Sequence, residues 1–221
     1  MIKMYDLHTH TTFSDGVLIP AESARRAVID RYEGMAFTDH ADESNYLHIL
    51  ENQLRFKEQF NNASDTFKVI VGLELTHVRP SHIGKLTEKA RLAGADIIVV
   101  HGETIVEPVE EGTNMAAVEA CVDILAHPGL IADEVVKTGI KNGVHFEITT
   151  RKGHSITNGH VAKKVLDLGG ELVINNDYHA PGDRVSPEMA VKILAGAGLD
   201  DEQIRKVFDN NKKIFMRSLE D

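Results

Sequence analysis

The chain has 221 residues, with 24 Lys and Arg against 34 Asp and Glu for a formal charge of −10, and it carries 12 His, one Cys and no Trp. One Cys excludes an internal disulfide and the cysteine-rich zinc modules, so any bound metal must rest on His and carboxylates. The acidic balance removes a broad pull on long nucleic acid or anionic membrane, and no apolar run approaches the roughly 18–20 residues of a transmembrane helix.

Residues 1–10 lack the basic segment and apolar stretch of a secretory signal, which predicts a soluble, cytoplasmic protein. Short β-branched runs then alternate with longer amphipathic stretches. Strands are predicted at Met4–His10, Gly34–His40, Lys68–Thr76, Asp96–His101, Val122–His127, Val144–Thr149 and Glu171–Asp177. Helices fill the gaps at Pro20–Arg31, Asn45–Asn61, Ser81–Leu92, Asn114–Cys121, Ile131–Asn142 and Thr157–Leu168. Two more close the chain, one opening at Ser186-Pro187 and one over Asp200–Asn210. Pro20 and Pro187 suit a first helical turn, and Gly94 and Gly169 suit helix ends. Unbroken runs such as Ile97-Ile98-Val99-Val100 read as parallel strands covered on both faces. No linker divides residues 1–221, which predicts a single α/β domain. Seven strand–helix units are fewer than the eight of a barrel of about 250 residues, so a smaller, irregular barrel is expected. An open doubly wound sheet is the structural rival, but no glycine-rich phosphate loop follows the first strand.

Ionisable residues collect at one end of this frame. His8 and His10 close the first predicted strand, Asp39-His40 the second, Glu74 the third, His101 the fourth, His127 the fifth, and Asp177 with His179 the seventh. Successive positions are separated by about the 30 residues of one βα unit. A lone His at a strand end is ordinarily a core or surface residue. Six of seven strands ending in the same way is instead the pattern of a metal site at the C-terminal face, where barrel enzymes place their chemistry. Residues i and i+2 of a strand share a face, so His8 and His10 project together, as do Asp177 and His179. His with carboxylate suits Zn²⁺, Mn²⁺ or Fe²⁺.

The series His8-Thr9-His10, Ser14-Asp15-Gly16, Thr38-Asp39-His40, Gly72-Leu73-Glu74, His101, His127-Pro128 and Asp177-Tyr178-His179 resembles the motifs of the PHP (polymerase and histidinol phosphatase) family. The segment from Asp209-Asn210-Asn211 to Phe215 resembles that family's final helix. The resemblance implies a distorted (β/α)7 barrel with three divalent metal ions. It implies one ion on His8, His10, Glu74 and Asp177, a second on Glu74, His101 and His127, and a third on Asp15, His40 and His179. Asp15 stands where some members have His. A metal-dependent phosphoesterase is then expected, with a metal-bridging hydroxide as nucleophile and a small phosphorylated substrate such as histidinol phosphate. Glu74 and Asp177 would serve catalysis as well as binding. Three ions against three carboxylates make a patch of about +3, which lets an acidic protein hold a phosphate ester.

Arg151 follows the one strand without a ligand at its tip and is the expected phosphate contact, since a guanidinium fork matches phosphate oxygens. His154 is a second candidate, Arg184 and Arg79 weaker ones, and a solvated basic loop is the alternative. Strand parity turns Glu147 into the barrel, toward a ligand or a core ion pair. His77 falls on the opposite parity from Glu74. The acidic stretch Glu103–Asn114 reads as an ordinary surface loop rather than a lid. A nuclease or nucleotide phosphodiesterase is the competing function, opposed by the lack of a basic stripe and of stacking aromatics. An amidohydrolase is opposed by Glu74 and by the lack of a suitably placed Lys in the fourth strand. A non-enzymatic partner protein is opposed by the complete ligand set.

Overall fold

The structure is a computed structural model that describes residues 2–64 and 66–220. Seven parallel strands stand in sequence order: β1 (Tyr5–Asp6), β2 (Gly34–Ala41), β3 (Lys68–Leu75), β4 (Ile97–His101), β5 (Ile124–Ala126), β6 (His145–Thr149) and β7 (Leu172–Asn175). Helices α1 (Pro20–Ile29), α2 (Tyr46–Ala63), α3 (Pro80–Leu92), α4 (Thr113–Glu119), α5 (Asp133–Lys141) and α6 (Asn158–Asp167) connect them, and α7 (Pro187–Gly196) and α8 (Asp201–Glu220) follow. The result is a nearly closed α/β barrel of the TIM-like type.

Side-chain parity explains both the core and the site. Ile98 and Val100 of β4 face the helices and join the large outer cluster with Leu73, Val118, Leu125 and Phe146. Ile97 and Val99 face inward and join Tyr5, Leu7, Ala36, Ile70, Ile124, Ala126 and Val173 in a separate inner cluster. Following the inward rows toward the C-terminal ends, the residues change character. Ala36 gives way to Thr38 and His40, Ile70 to Gly72 and Glu74, Val99 to His101, and Val173 to Asn175. An aliphatic floor thus supports a polar upper layer on the same faces of the same strands.

The floor is closed from below by α8, whose Ile214 and Phe215 enter the inner cluster. The Phe215 ring lies 4.9 Å from that of Tyr5. It also lies against Gly34, where any Cβ would overlap it. Burying such a side chain contributes about 1.5–3 kcal/mol.

The expected elements are all present, with corrected bounds. α8 runs to Glu220 rather than stopping at Asn210. Its buried residues Ile204, Val207, Phe208, Asn211, Ile214, Phe215 and Ser218 keep a helical period across the expected stop. Asn210 and Asn211 do not end the helix, because both amides are buried and bonded to β7. β1 ladders with β2 only over Tyr5–Asp6, and the segment after it meets the segment after β7 by one bridge, Thr9 to Tyr178. β7 stops at Asn175, two residues before Asp177, whose φ of 50° leaves the extended region. Thr157 ends a 3-10 turn over His154–Thr157 instead of opening α6. Among the described residues no helix is long and apolar enough to cross a membrane.

Candidate metal centre

At the C-terminal face the expected residues converge on Glu74, which is fully buried. Its Oε1 lies 3.2 Å from His8 Nε2, 3.4 Å from His101 Nδ1 and 3.6 Å from His127 Nε2. Its Oε2 lies 2.6 Å from His40 Nδ1 and 3.6 Å from His10 Nε2. Asp177 faces the same space, 3.3 Å from His10 Nε2 and 3.7 Å from His127 Nε2. Asp15 lies at the outer edge, 3.2 Å from His179 Nε2 and 3.5 Å from His40 Nε2. Among the described residues five groups have ligand atoms mutually close enough for one ion: His8–Glu74–His127, His8–His10–Asp177, His10–Asp15–His40–His179, His77–His101–Glu107 and His127–His154–Asp177. The nine sequence-expected ligands thus lie in one layer, but His101 groups with His77 and Glu107 rather than with Glu74 and His127, and reaches the centre through Glu74 at 3.4 Å.

The donor set fits divalent cations on an observation independent of motif. His8 Nε2, both ring nitrogens of His10, His101 and His127, and Glu74 Oε1 are buried without a hydrogen bond. Orphaned buried polar atoms cost about 1–3 kcal/mol each and are rare in native structures. Most of the N···O separations, 3.2–3.6 Å, are long for hydrogen bonds. They match the edge of a tetrahedron with ligand arms near 2.1 Å, roughly 3.4 Å.

Electrostatics prepares these groups for metal. Burial raises the Glu74 carboxyl, but the charges of His8 and His40 outweigh it and hold the group well below the usual carboxylate range. Asp177 is held low in the same way, burial being outweighed by the His8 charge and by the close approach of His10 Nε2 at 3.3 Å. Asp15 is lowered to about 2, the bond from His179 and the His40 charge outweighing its partial burial. Burial and then His40 push His10 down to about 3, which leaves it neutral. Ionised carboxylates and a neutral imidazole are the forms that bind metal. Burial lowers His8, His40 and His127 too, but the surrounding carboxylates overcome it and raise all three.

Backbone strain is concentrated here. His77, His127 and Asp177 are three of the five described non-glycine residues with positive φ, at 53°, 27° and 50°. Such conformations cost about 1–3 kcal/mol each and mark sites where geometry serves chemistry. At His77 the left-handed turn overrides strand parity and brings the ring within 5.4 Å of that of His101.

Surrounding residues fix the ligands. Glu147 points inward as parity required, and its Oε2 sits 2.8 Å from His8 Nδ1. The same oxygen accepts from the Asn175 side-chain amide, and no Lys or Arg pairs with Glu147 among the described residues. Glu107 lies in the exposed stretch expected as a surface loop, yet it reaches the layer. Its carboxylate is 3.1 Å from His101 Nε2, 3.3 Å from His154 Nε2 and 3.6 Å from His77 Nε2. The acidic run directly after His101 was the available signal. Glu103 in the same loop accepts from the Gly112 and Asn114 amides and so starts α4. With Glu107 and Glu147 the layer gathers five carboxylates rather than three, so three divalent ions would leave it at about +1.

His154 is buried and stacks on His127 at 4.3 Å, and its Nδ1 is 2.8 Å from Thr104 Oγ1. Arg151 reaches the layer as expected. Its Nη1 donates to His179 Nδ1 at 2.8 Å and to the Asp177 carbonyl at 3.0 Å, and its Nε lies 3.5 Å from Asp177 Oδ2. Arg184 does not join. Its guanidinium lies over the Tyr178 ring at 4.0 Å and pairs with Asp30. Arg79 is exposed at the start of α3.

Sequence reading gave Asp39 no role, and the structure supplies one. Its Oδ1 accepts from the Thr11 amide at 2.7 Å and Ser14 Oγ at 2.6 Å, and its Oδ2 from Thr11 Oγ1 and Gln53 Nε2, both at 2.8 Å. The turn that carries Asp15 is thus tied to β2. Asp39→Asn sets a donor against these donors and is expected to cost about 1–3 kcal/mol in denaturant unfolding. Metal bound through Asp15 should weaken with it, and an unchanged melting curve and metal content would contradict this role.

Fold and site together define a TIM-like barrel built around a histidine–carboxylate metal centre. The chain belongs to the PHP domain family: the family model, described as PHP domain, matches residues 6–99, and the layer carries that family's motif series. The uncharacterized protein MJ1295 of Methanocaldococcus jannaschii is 46% identical over 216 residues, covering 97% of this chain and 99% of that protein. The 5'-3' exoribonuclease Rnm of Escherichia coli is 25% identical over 169 residues, covering 75% of this chain, which spans about half (49%) of that enzyme. Among solved structures, histidinol phosphate phosphatase from Lactococcus lactis, complexed with zinc, L-histidinol and phosphate, shares the fold. Its TM-score is 0.63 at 16% identity, with 90% of this chain and 95% of that one covered.

Proposed function

We propose that this protein is a metal-dependent phosphoesterase that hydrolyses small phosphate monoesters, holding three divalent ions on His8, His10, Asp15, His40, Glu74, His101, His127, Asp177 and His179. The observation that carries the reading is the convergence of buried, hydrogen-bond-less His nitrogens on the two ionised carboxylates Glu74 and Asp177. Bound divalent ions supply Lewis acidity, which makes a nucleophile available near neutral pH and offsets charge on the phosphoryl group. Glu74 and Asp177 hold that charge in place. Arg151, part-exposed at the edge of the layer, has Nη1 and Nε turned to His179 and Asp177 and offers Nη2 to a phosphoryl oxygen. His154 is neutral at neutral pH, because burial and then His127 lower it to about 4. It lines the His127 side of the layer beside Glu107.

The monoester preference rests on the depth of the layer: Glu74, His8 and His10 are fully buried, and the exposed and part-exposed groups, Asp15, Arg151, Glu107 and His77, stand at its rim. A terminal phosphate enters such a recess more readily than an internal diester. The E. coli exoribonuclease relative favours a second reading, exonucleolytic cleavage of short oligonucleotides. A phosphate-release screen with Mn²⁺ over histidinol phosphate, sugar phosphates, nucleotides and short oligonucleotides separates them. Small monoesters turned over at least ~10-fold faster than oligonucleotides support the first reading, and the reverse order supports the second. Arg151→Ala is expected to raise KM for phosphate esters about 10–100-fold, since a charge-assisted contact is worth about 1.5–3 kcal/mol. Unchanged kinetics would assign Arg151 to the support of His179 and of Asp183, whose Oδ2 lies 3.4 Å from its Nη1, alone.

A further inference from the structure

Among the described strands β1 and β7 share no ladder along the seam between them, and the segments that follow them, which carry candidate ligands, are joined by a single bridge, Thr9 to Tyr178. β1 pairs only with β2, and β7 only with β6. His8 and His10 stand on one lip of this seam, and Asp177 and His179 on the other. Main-chain bonds cross it just above, from the His10 amide to the Tyr178 carbonyl at 2.8 Å and from the Tyr178 amide to the His8 carbonyl at 3.2 Å.

Below these bonds, side-chain amides replace the missing ladder. Asn211 of α8 accepts from the Ile174 amide at 3.0 Å and donates to the Ile174 carbonyl at 2.8 Å on one lip. Its Nδ2 also lies 3.1 Å from the Tyr5 carbonyl on the other lip and 2.9 Å from Asn175 Oδ1. Asn175 Oδ1 accepts from the Leu7 amide at 2.9 Å, and its Nδ2 donates to Glu147 Oε2 at 2.9 Å. That same Glu147 oxygen is 2.8 Å from His8 Nδ1. A continuous chain of buried polar contacts therefore runs from α8 through Asn175 and Glu147 to a candidate ligand.

We infer that Asn211 and Asn175 are positioning residues for the metal centre: they hold the β1–β7 seam at the width that lets His8, His10 and Asp177 share an ion. The inference rests on the metal-binding part of the proposed function and not on its substrate. Neither residue touches the ligand layer except through Glu147, so the effect reads out in metal affinity. Loss of a partner that orients a metal ligand typically costs 10–100-fold in affinity.

Asn210 provides the control. It is the adjacent buried amide on α8, but it bonds the Leu172 carbonyl and Glu171 Oε2 on β7 alone and does not cross the seam. Zinc affinity is measured by competition with a chromophoric chelator for the wild type, Asn211→Ala, Asn175→Asp and Asn210→Ala. Asn175→Asp keeps the acceptor for Leu7 but places a carboxylate against Glu147. The expected result is a 10–100-fold weaker zinc affinity in Asn211→Ala and Asn175→Asp. Asn210→Ala should melt earlier while binding zinc like the wild type. Wild-type affinity in Asn211→Ala, or equal weakening in Asn210→Ala, overturns the inference.

Hydrogen exchange on the wild-type protein decides the matter even if Asn211→Ala fails to fold. Zinc should slow exchange at the seam amides of Leu7, His10 and Tyr178 more than at the ladder amides of β3, and uniform slowing overturns the inference. Both readouts are independent of phosphate release. Absence of phosphatase activity would sink the functional reading and leave this one standing.

Discussion

Glu74→Gln is expected to lower turnover by ~10³-fold or more, beyond the 10–100-fold typical of an outer partner of a metal ligand. Glu74 is the one carboxylate facing five histidines, with Oε1 toward His8, His101 and His127 and Oε2 toward His10 and His40. Glutamine keeps the size but removes the charge and half of the acceptor capacity, so it cannot serve two ions. The metal content of the purified variant should fall with its activity. Breaking buried charge pairs by removing one partner also costs about 3–5 kcal/mol, so circular dichroism must accompany the kinetics. A folded Glu74→Gln protein with wild-type turnover and full metal content would contradict the placement of Glu74 at the centre.

Removing divalent metal is expected to lower Tm by roughly 5–10 °C. Ligand at about 100 times its Kd stabilises a native state by about 2.7 kcal/mol, and 1 kcal/mol shifts Tm by about 2–4 °C in a chain of this size. The stabilisation should fade on acidification. His8, His40 and His127 have raised pKa values, so as pH falls through them protons occupy nitrogens that metal must claim, and apparent metal affinity falls with pH. Calorimetry with and without chelator, repeated at lower pH, reads both effects. An unchanged Tm after elemental analysis shows the metal gone would contradict them.

The strand-end ligands were legible in the sequence because the barrel repeats one unit. Inward parity plus a C-terminal position places His40, Glu74 and His101 together without any knowledge of distance. Glu147 was legible by the same parity. Glu107 and Asp39 were not. Glu107 lies in a loop whose path depends on packing against the turn after β6, and no period encodes that. Asp39 faces the loop after β1, about 28 residues away in the chain, a pairing set by the turn at Ser14–Gly16. The seam amides were hidden for a further reason. Asn210-Asn211 reads locally as a helix stop, and only the tertiary contact with β7 turns the pair into interior residues.

Phosphoester hydrolysis is proposed to require metal on the histidine–carboxylate layer. Phosphate release from small monoesters is measured on one preparation in three states: as purified, after verified metal removal, and after return of Mn²⁺ or Zn²⁺. Activity is expected to be lost on removal and to recover on return. Full activity in the metal-free protein, or none in the metal-loaded protein against any phosphoester, would contradict it.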